Sequence, residues 1–137
     1  MTKPSITTLL MFDGQAEEAM RFYLDVFGDS EIEQISRYEA GEAGLEGTVK
    51  HAVFRLRDQT LRCMDSAVTH PFAFNAAISL FVDCESADQV DALNARLVEA
   101  GSSRMPLDAY PFSPRYAWVT DRFGVSWQLY LAPDPDG

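Results

Sequence analysis

Cysteine is nearly absent from this chain of 137 residues: only Cys63 and Cys84 occur, each inside an apolar, strand-like run. Small secreted domains that rely on bridges usually carry four or more, so a disulfide scaffold is excluded and both residues read as reduced, buried thiols. Histidine is as scarce, with His51 and His70 alone, and neither cysteine lies beside a histidine-rich stretch that would suggest zinc. Basic side chains are also few. Eleven Lys and Arg stand against 21 Asp and Glu, and the net charge of −10 opposes the cationic footprint that phosphate backbones require. Nucleic acid and anionic membrane surfaces are therefore not expected partners. No apolar run approaches the roughly 20 residues of a membrane span, and the first residues lack the basic-then-apolar layout of a secretory signal. The expectation is a cytoplasmic protein.

What is present is an ordinary globular composition, 47% hydrophobic, at the length of one domain. Two helices are the clearest elements. Residues 15–27 place Ala16, Ala19, Met20, Tyr23, Val26 and Phe27 on one stripe, and Gly28 follows as a stop. Residues 87–100 place Val90, Leu93, Leu97 and Ala100 inward, opened by the Ser86, Gln89 spacing of a capping box and closed by Gly101. A strand is expected before each helix, over 5–12 and 75–82. Three more follow each helix: 31–38, 49–57 and 60–65, then 103–107, 115–120 and 125–131. Strand, helix, strand, strand, strand therefore occurs twice, which predicts an internal duplication. The modules span 5–66 and 75–131 of a single domain, with residues 132–137 as a disordered tail.

Alternation within the strands predicts which side chains leave the helix side. In the last strand Trp127, Leu129 and Leu131 oppose Ser126, Gln128 and Tyr130; in KHAVFRL, Ala52, Phe54 and Leu56 oppose His51, Val53 and Arg55. The mixed face is where a ligand would sit. The same parity puts Ala77, Ser79 and Phe81 inward on the fifth strand and Cys63 with Asp65 inward on the fourth. For the first strand, whose parity is ambiguous, Thr8, Leu10 and Phe12 are taken as inward by analogy with the second half.

The duplicated unit, the Phe-Tyr of MRFYLDVFG and the Asp-x-Phe-Gly turn of DRFGVSWQL resemble the vicinal oxygen chelate superfamily of glyoxalase I, bleomycin-resistance and extradiol-dioxygenase proteins. More narrowly, MFDGQAEEAMRFYLDVF, EGTVKHAVFRL, CMDS and PLDAYPFSPRYAWVTDRFGVSWQL resemble its PhnB-like branch, whose members often carry a demethylubiquinone-methyltransferase-like label. The resemblance spans residues 5–131. It implies an α+β fold of two βαβββ modules forming a curved, cup-shaped mixed sheet, the glyoxalase/bleomycin-resistance fold. It also implies, for metal-using members, ligands on the first, fourth, fifth and eighth strands. Those places fall near Thr8, on Cys63 or Asp65, on Ala77 or Ser79, and on Gln128. Asp65 is a good hard-metal ligand and Gln128 a weaker, neutral one, short of the three donors a divalent catalytic site needs. No cofactor is expected; a divalent metal, if bound, would take Asp65 and Gln128.

The ligand-cavity candidates are Thr8, Leu10, His51, Cys63, Asp65, Ser79, Trp118 and Gln128. His51 could act as a base or donor, or be a strand-face histidine satisfied by a neighbour. Asp65 could anchor a ligand or cap a turn. Gln128 points inward and needs partners, Trp118 with Tyr116 could stack a flat ligand, and Cys63 reads as inert core because no basic residue near it lowers its pKa. The glycine-rich loop 38–50 lacks the order and strand-helix context of a phosphate cradle and reads as a mobile flap or solvated connection. The proline-rich segment 104–118 could close a mouth of the cup or form a partner surface.

The function expected is small-molecule binding in the cup, by a homodimer, without a complete metal site. The alternatives are a metal-dependent glyoxalase-like lyase or isomerase, a structural or regulatory partner protein, and the methyltransferase of the branch label. Against the last, nothing resembles a Rossmann-like methyl-donor site.

Overall fold

A computed structural model describes residues 4–134, so residues 135–137 of the expected tail lie outside the described residues. The chain divides into two compact units, Met1–Pro71 and Phe72–Gly137. In the first, the order is β1 (Thr8–Phe12), α1 (Ala16–Phe27), β2 (Ser30–Arg37), β3 (Val49–Leu56) and β4 (Gln59–Asp65). The second repeats it with β5 (Leu80–Cys84), α2 (Ala87–Val98), β6 (Ser102–Tyr110), β7 (Ser113–Thr120) and β8 (Ser126–Leu131). Each unit folds into a four-stranded sheet, ordered β1-β4-β3-β2 and β5-β8-β7-β6. The first strand pairs parallel to the last, and the other pairings are antiparallel. These are the two expected βαβββ modules.

Each helix covers one face of its own sheet. From α1, Ala16, Ala19, Met20, Tyr23 and Phe27 are buried, the stripe read from the sequence with Val26 only half-buried. They meet the even-numbered side chains of β3 and the odd-numbered ones of β4: Ala52, Phe54, Leu61 and Cys63 are all at most 1% exposed. From α2, Val90, Leu93 and Leu97 are buried over Ala117, Val119, Trp127 and Leu129. Burying each such side chain is worth about 1.5–3 kcal/mol, and that apolar contact, more than helix propensity, holds each helix on its sheet.

The helix ends follow the sequence in part. Ser86 Oγ accepts from Gln89 N–H at 3.1 Å while Gln89 Oε1 accepts from Glu85 N–H at 2.8 Å, a reciprocal cap one residue wider than the usual box. Past α2, the left-handed position is taken by Ala100, at φ 60°, rather than by Gly101. Gly101 is required for space: a Cβ there would stand 2.2 Å from the carbonyl oxygen of Thr120.

Two expected elements differ. The fifth strand starts at Leu80, not at residue 75, because Asn75 Oδ1 accepts from Ala77 N–H at 2.9 Å and turns the chain there. Segment 104–118 is a hairpin of β6 and β7, and Pro106 is tolerated because β6 is an edge strand. Loop 38–50 is tied back on itself: Tyr38 exchanges backbone hydrogen bonds with Gly47 and Thr48, and its hydroxyl donates to Asp65 O at 3.0 Å.

Candidate functional site

In the second unit, strand parity is as the sequence implies. Arg115 on β7 reaches Asp91 of α2 at 2.7 Å, which fixes Arg115, Ala117 and Val119 on the helix side. Tyr116 and Trp118 therefore face away, beside their direct partners on β8, Tyr130 and Gln128. On this open face one hydrogen-bonded chain crosses the sheet. Tyr116 Oη donates to Gln128 Oε1 at 2.6 Å, and Gln128 Nε2 donates to Ser79 Oγ at 3.2 Å. Ser79 Oγ lies 2.7 Å from Ser126 Oγ, which accepts from Trp118 Nε1 at 2.8 Å. Aromatic rings flank the chain. Phe81 and Tyr130 lie with centroids 5.2 Å apart, Phe112 meets Tyr116 edge-on at 4.9 Å, and the Arg104 guanidinium stands over Trp118 at 5.9 Å.

The chain has a direction and a remainder. Tyr and Trp enter it as donors, and the two serine hydroxyls share a single link, so one of their two protons is not used within it. Ser126 is 2% exposed and cannot offer that proton outward, whereas Ser79 is half-buried beside the exposed ring of Phe81. The second N–H of the Gln128 amide has no partner among the described residues either. Together they make a small donor site within an aromatic surround. Burial, and then the neighbouring Tyr110, push the Tyr116 hydroxyl above the ordinary tyrosine pKa, which keeps it protonated as the donor to Gln128.

The first unit is arranged differently from the sequence expectation. Thr8, Leu10 and Phe12 pair with Leu61, Cys63 and Asp65 and share their side of the sheet, the side covered by α1. Cys63 donates to the Met20 sulfur of α1 at 3.8 Å, and burial followed by the Asp65 charge pushes its thiol up to about 12. That is an inert core thiol. Asp65 is 2% exposed, and both carboxylate oxygens are taken: Oδ1 accepts from Ala16 N–H and Oδ2 from Val49 N–H, each at 2.9 Å. It caps α1, whose own N-cap residue, Gln15, makes no side-chain cap bond. Thus Thr8, Leu10, Cys63 and Asp65, expected to face the mixed side, face the helix instead.

The open face of this sheet carries Thr7, Leu9 and Met11 from the first strand segment, Arg62 and Met64 from β4, and His51 and Val53 from β3. His51 does lie there, 3.1 Å from Arg62 Nη1. The sequence reading names neither Arg62 nor Thr7, and it puts Ser126 on the mixed face without making it a cavity candidate. Ser126 was within reach, since it shares the parity of Gln128; Arg62 was hidden once β4 had been turned over.

A divalent metal does not fit the positions the resemblance indicates. Asp65 is committed to backbone N–H groups behind the sheet, Gln128 is hydrogen-bonded through both ends of its amide, and the Cys63 thiol is held protonated. Among the described residues no group of three His, Cys, Asp or Glu side chains could hold a metal ion.

Two modules of this order, each with its first strand parallel to its last, make the glyoxalase/bleomycin-resistance fold. The chain belongs to the PhnB-like family described as 3-demethylubiquinone-9 3-methyltransferase, which it matches over residues 4–130. It is 50% identical to a PhnB protein from Bacillus cereus, with a TM-score of 0.91 over 94% of this chain and 100% of that one. Protein PA1353 from Pseudomonas aeruginosa is 25% identical, with a TM-score of 0.84 over 96% and 100% of the two chains. A glyoxylase/bleomycin resistance protein/dioxygenase domain from Frankia, 15% identical with a TM-score of 0.68 over 98% and 96%, shares the fold. Among curated proteins, none matches the chain.

Proposed function

We propose that this chain binds a small organic molecule bearing an acceptor oxygen on the face of β5, β8 and β7 turned away from α2, without a resident divalent metal. The observation that carries this reading is the Tyr116, Gln128, Ser79, Ser126, Trp118 chain, which leaves one hydroxyl proton and one amide N–H for an acceptor. Around it, Phe81 and Trp118 offer the apolar surface that orients a flat ligand in most small-molecule sites. The protein acts as a cytoplasmic homodimer; the dimer is favoured by large apolar side chains left exposed away from that chain, among them Leu45, Val68 and Ile78.

The test uses a panel of small aromatic ketones and carboxylates added to 15N-labelled protein. A binder shifts the Trp118 indole N–H and the Gln128 side-chain amide in a saturable way, and Gln128→Leu removes that response. Saturable binding that leaves both signals in place, or that persists in Gln128→Leu, rejects this site, and a panel without any binder rejects the reading. Elemental analysis and titration with S-adenosylmethionine decide the two rival activities: stoichiometric metal supports a glyoxalase-like lyase, and saturable binding of the methyl donor supports the methyltransferase of the family name.

A further inference from the structure

The open face of the first unit carries a cation held without an anion. Arg62 sits in the middle of β4, half-buried, with Leu9 of β1 and Val53 of β3 as its direct partners on either side. Its Nε–H donates to Thr7 Oγ1 at 3.0 Å, and Nη1–H donates to His51 Nε2 at 3.1 Å. A guanidinium only donates, so His51 Nε2 is the acceptor and the ring is a neutral imidazole with its proton on Nδ1. The two bonds fix the guanidinium plane and leave about three of its five N–H donors without a partner among the described residues.

Neither partner is charged, and among the described residues no carboxylate lies within 4.0 Å of Arg62. The other half-buried arginines do meet carboxylates: Arg55 lies near Asp29 and Glu31, and Arg115 holds Asp91. On the surface Arg21 and Arg37 share Glu17 and Lys50 meets Glu42, while the exposed Arg57 and Arg104 meet none among the described residues. In a chain with 21 carboxylates, a half-buried arginine oriented by two neutral groups and paired with none is poised for an anion from outside. The same face adds the apolar side chains of Leu9, Met11 and Met64, and Leu9 is 46% exposed.

We propose that Arg62, positioned by Thr7 and His51, binds the oxyanion of a small organic acid, a carboxylate or a phosphate, whose apolar part rests on Leu9 and Met64. This site lies in the first unit and uses none of the residues of the Gln128 chain.

The experiment titrates the full chain with sodium hexanoate and, separately, with inorganic phosphate, at ionic strength held constant with sodium chloride. Backbone amide resonances of residues 61–64 are followed, with the Arg62 Nε–H signal. Saturable shifts are expected with at least one probe; saturation by hexanoate alone assigns a carboxylate and by phosphate alone a phosphate. Arg62→Lys keeps the charge but loses the planar fork and should weaken binding about tenfold. Arg62→Gln should abolish it, and Arg21→Gln, at an exposed arginine of α1, should leave it unchanged. Should Arg62→Gln fail to fold, Thr7→Val keeps the cation, frees one anchor and is expected to weaken binding severalfold. Shifts that rise without saturation for both probes, or equal midpoints in the wild type and Arg62→Gln, overturn the proposal.

Discussion

The carboxylate of Asp65, the last residue of β4, accepts the backbone N–H of Ala16, the first residue of α1, at 2.9 Å. Its other oxygen takes Val49 N–H at the start of β3. One side chain thus ties three elements at one end of the unit and places a negative charge at the helix N-terminus, where the dipole favours it. Asp65→Asn keeps the shape but turns an NH2 group toward one of the two N–H donors. Because a buried donor left unsatisfied costs about 1–3 kcal/mol and charge-assisted bonds are the stronger ones, the expected loss is about 2–4 kcal/mol. Urea unfolding followed by circular dichroism measures it, and a loss below 1 kcal/mol would contradict this role.

Gly101 and Ala100 make opposite predictions though they are neighbours. Gly101→Ala drives a methyl into the Thr120 carbonyl at 2.2 Å and should destabilise by about 1–3 kcal/mol, the usual range for overpacking. Ala100→Gly relieves a left-handed alanine at φ 60°, a gain of about 1–2 kcal/mol that is partly offset by the looser unfolded chain. Thermal midpoints of the two variants should move in opposite directions.

Stability should decline in alkali, with Cys63 as the first cause. Its thiol is raised from the ordinary 9.0 to about 12, so between those values the unfolded chain has released a proton that the folded chain retains. The contribution is complete below about pH 9 and is lost as pH rises toward 12, at about 1.4 kcal/mol per pH unit. Tyr116, raised above 10.0, adds the same sign from pH 10 upward. Urea midpoints measured from pH 7 to 10.5 should fall above pH 9, and Cys63→Ala should flatten the first part of that fall. A thiol reagent at pH 8 should not label Cys63 in the folded protein.

Tyr116→Phe removes the donor to Gln128 Oε1 and leaves the ring's edge-on contact with Phe112 in place. A loss of about 1 kcal/mol is expected, in line with one neutral hydrogen bond. The released Gln128 amide should then show a changed side-chain resonance while the backbone of β8 stays as it was.

How far the sequence reveals this fold depends on contrast. In SWQLYL, a large apolar residue alternates with a polar or amphipathic one, so Gln128 was placed on its true face, and with it Trp118 and Ser79. In TLLMF nearly every position is apolar, so parity carries no information there. In β4 Cys63 and Asp65 share one face and Arg62 and Met64 the other, and of the two a carboxylate looks like the exposed member. Its true side is decided by Ala16 N–H, 49 positions away, which no local pattern announces. Helix stripes and stops were legible because periodicity and Gly28 are local signals; the start of β5 was not, because one Asn75 bond overrode an apolar run.

The parity of β1 and β4 also divides the chain by what mutation can do to it. A new side chain at 9, 11, 62 or 64 lands on the face that α1 leaves uncovered, where it can alter chemistry at small expense to folding. The same change at 10, 12, 61, 63 or 65 lands beneath α1, against buried residues. Alternate positions of two short strands can therefore take new side chains while the residues between them stay fixed, which makes these strands open to new chemistry in half of their positions and closed to it in the other half.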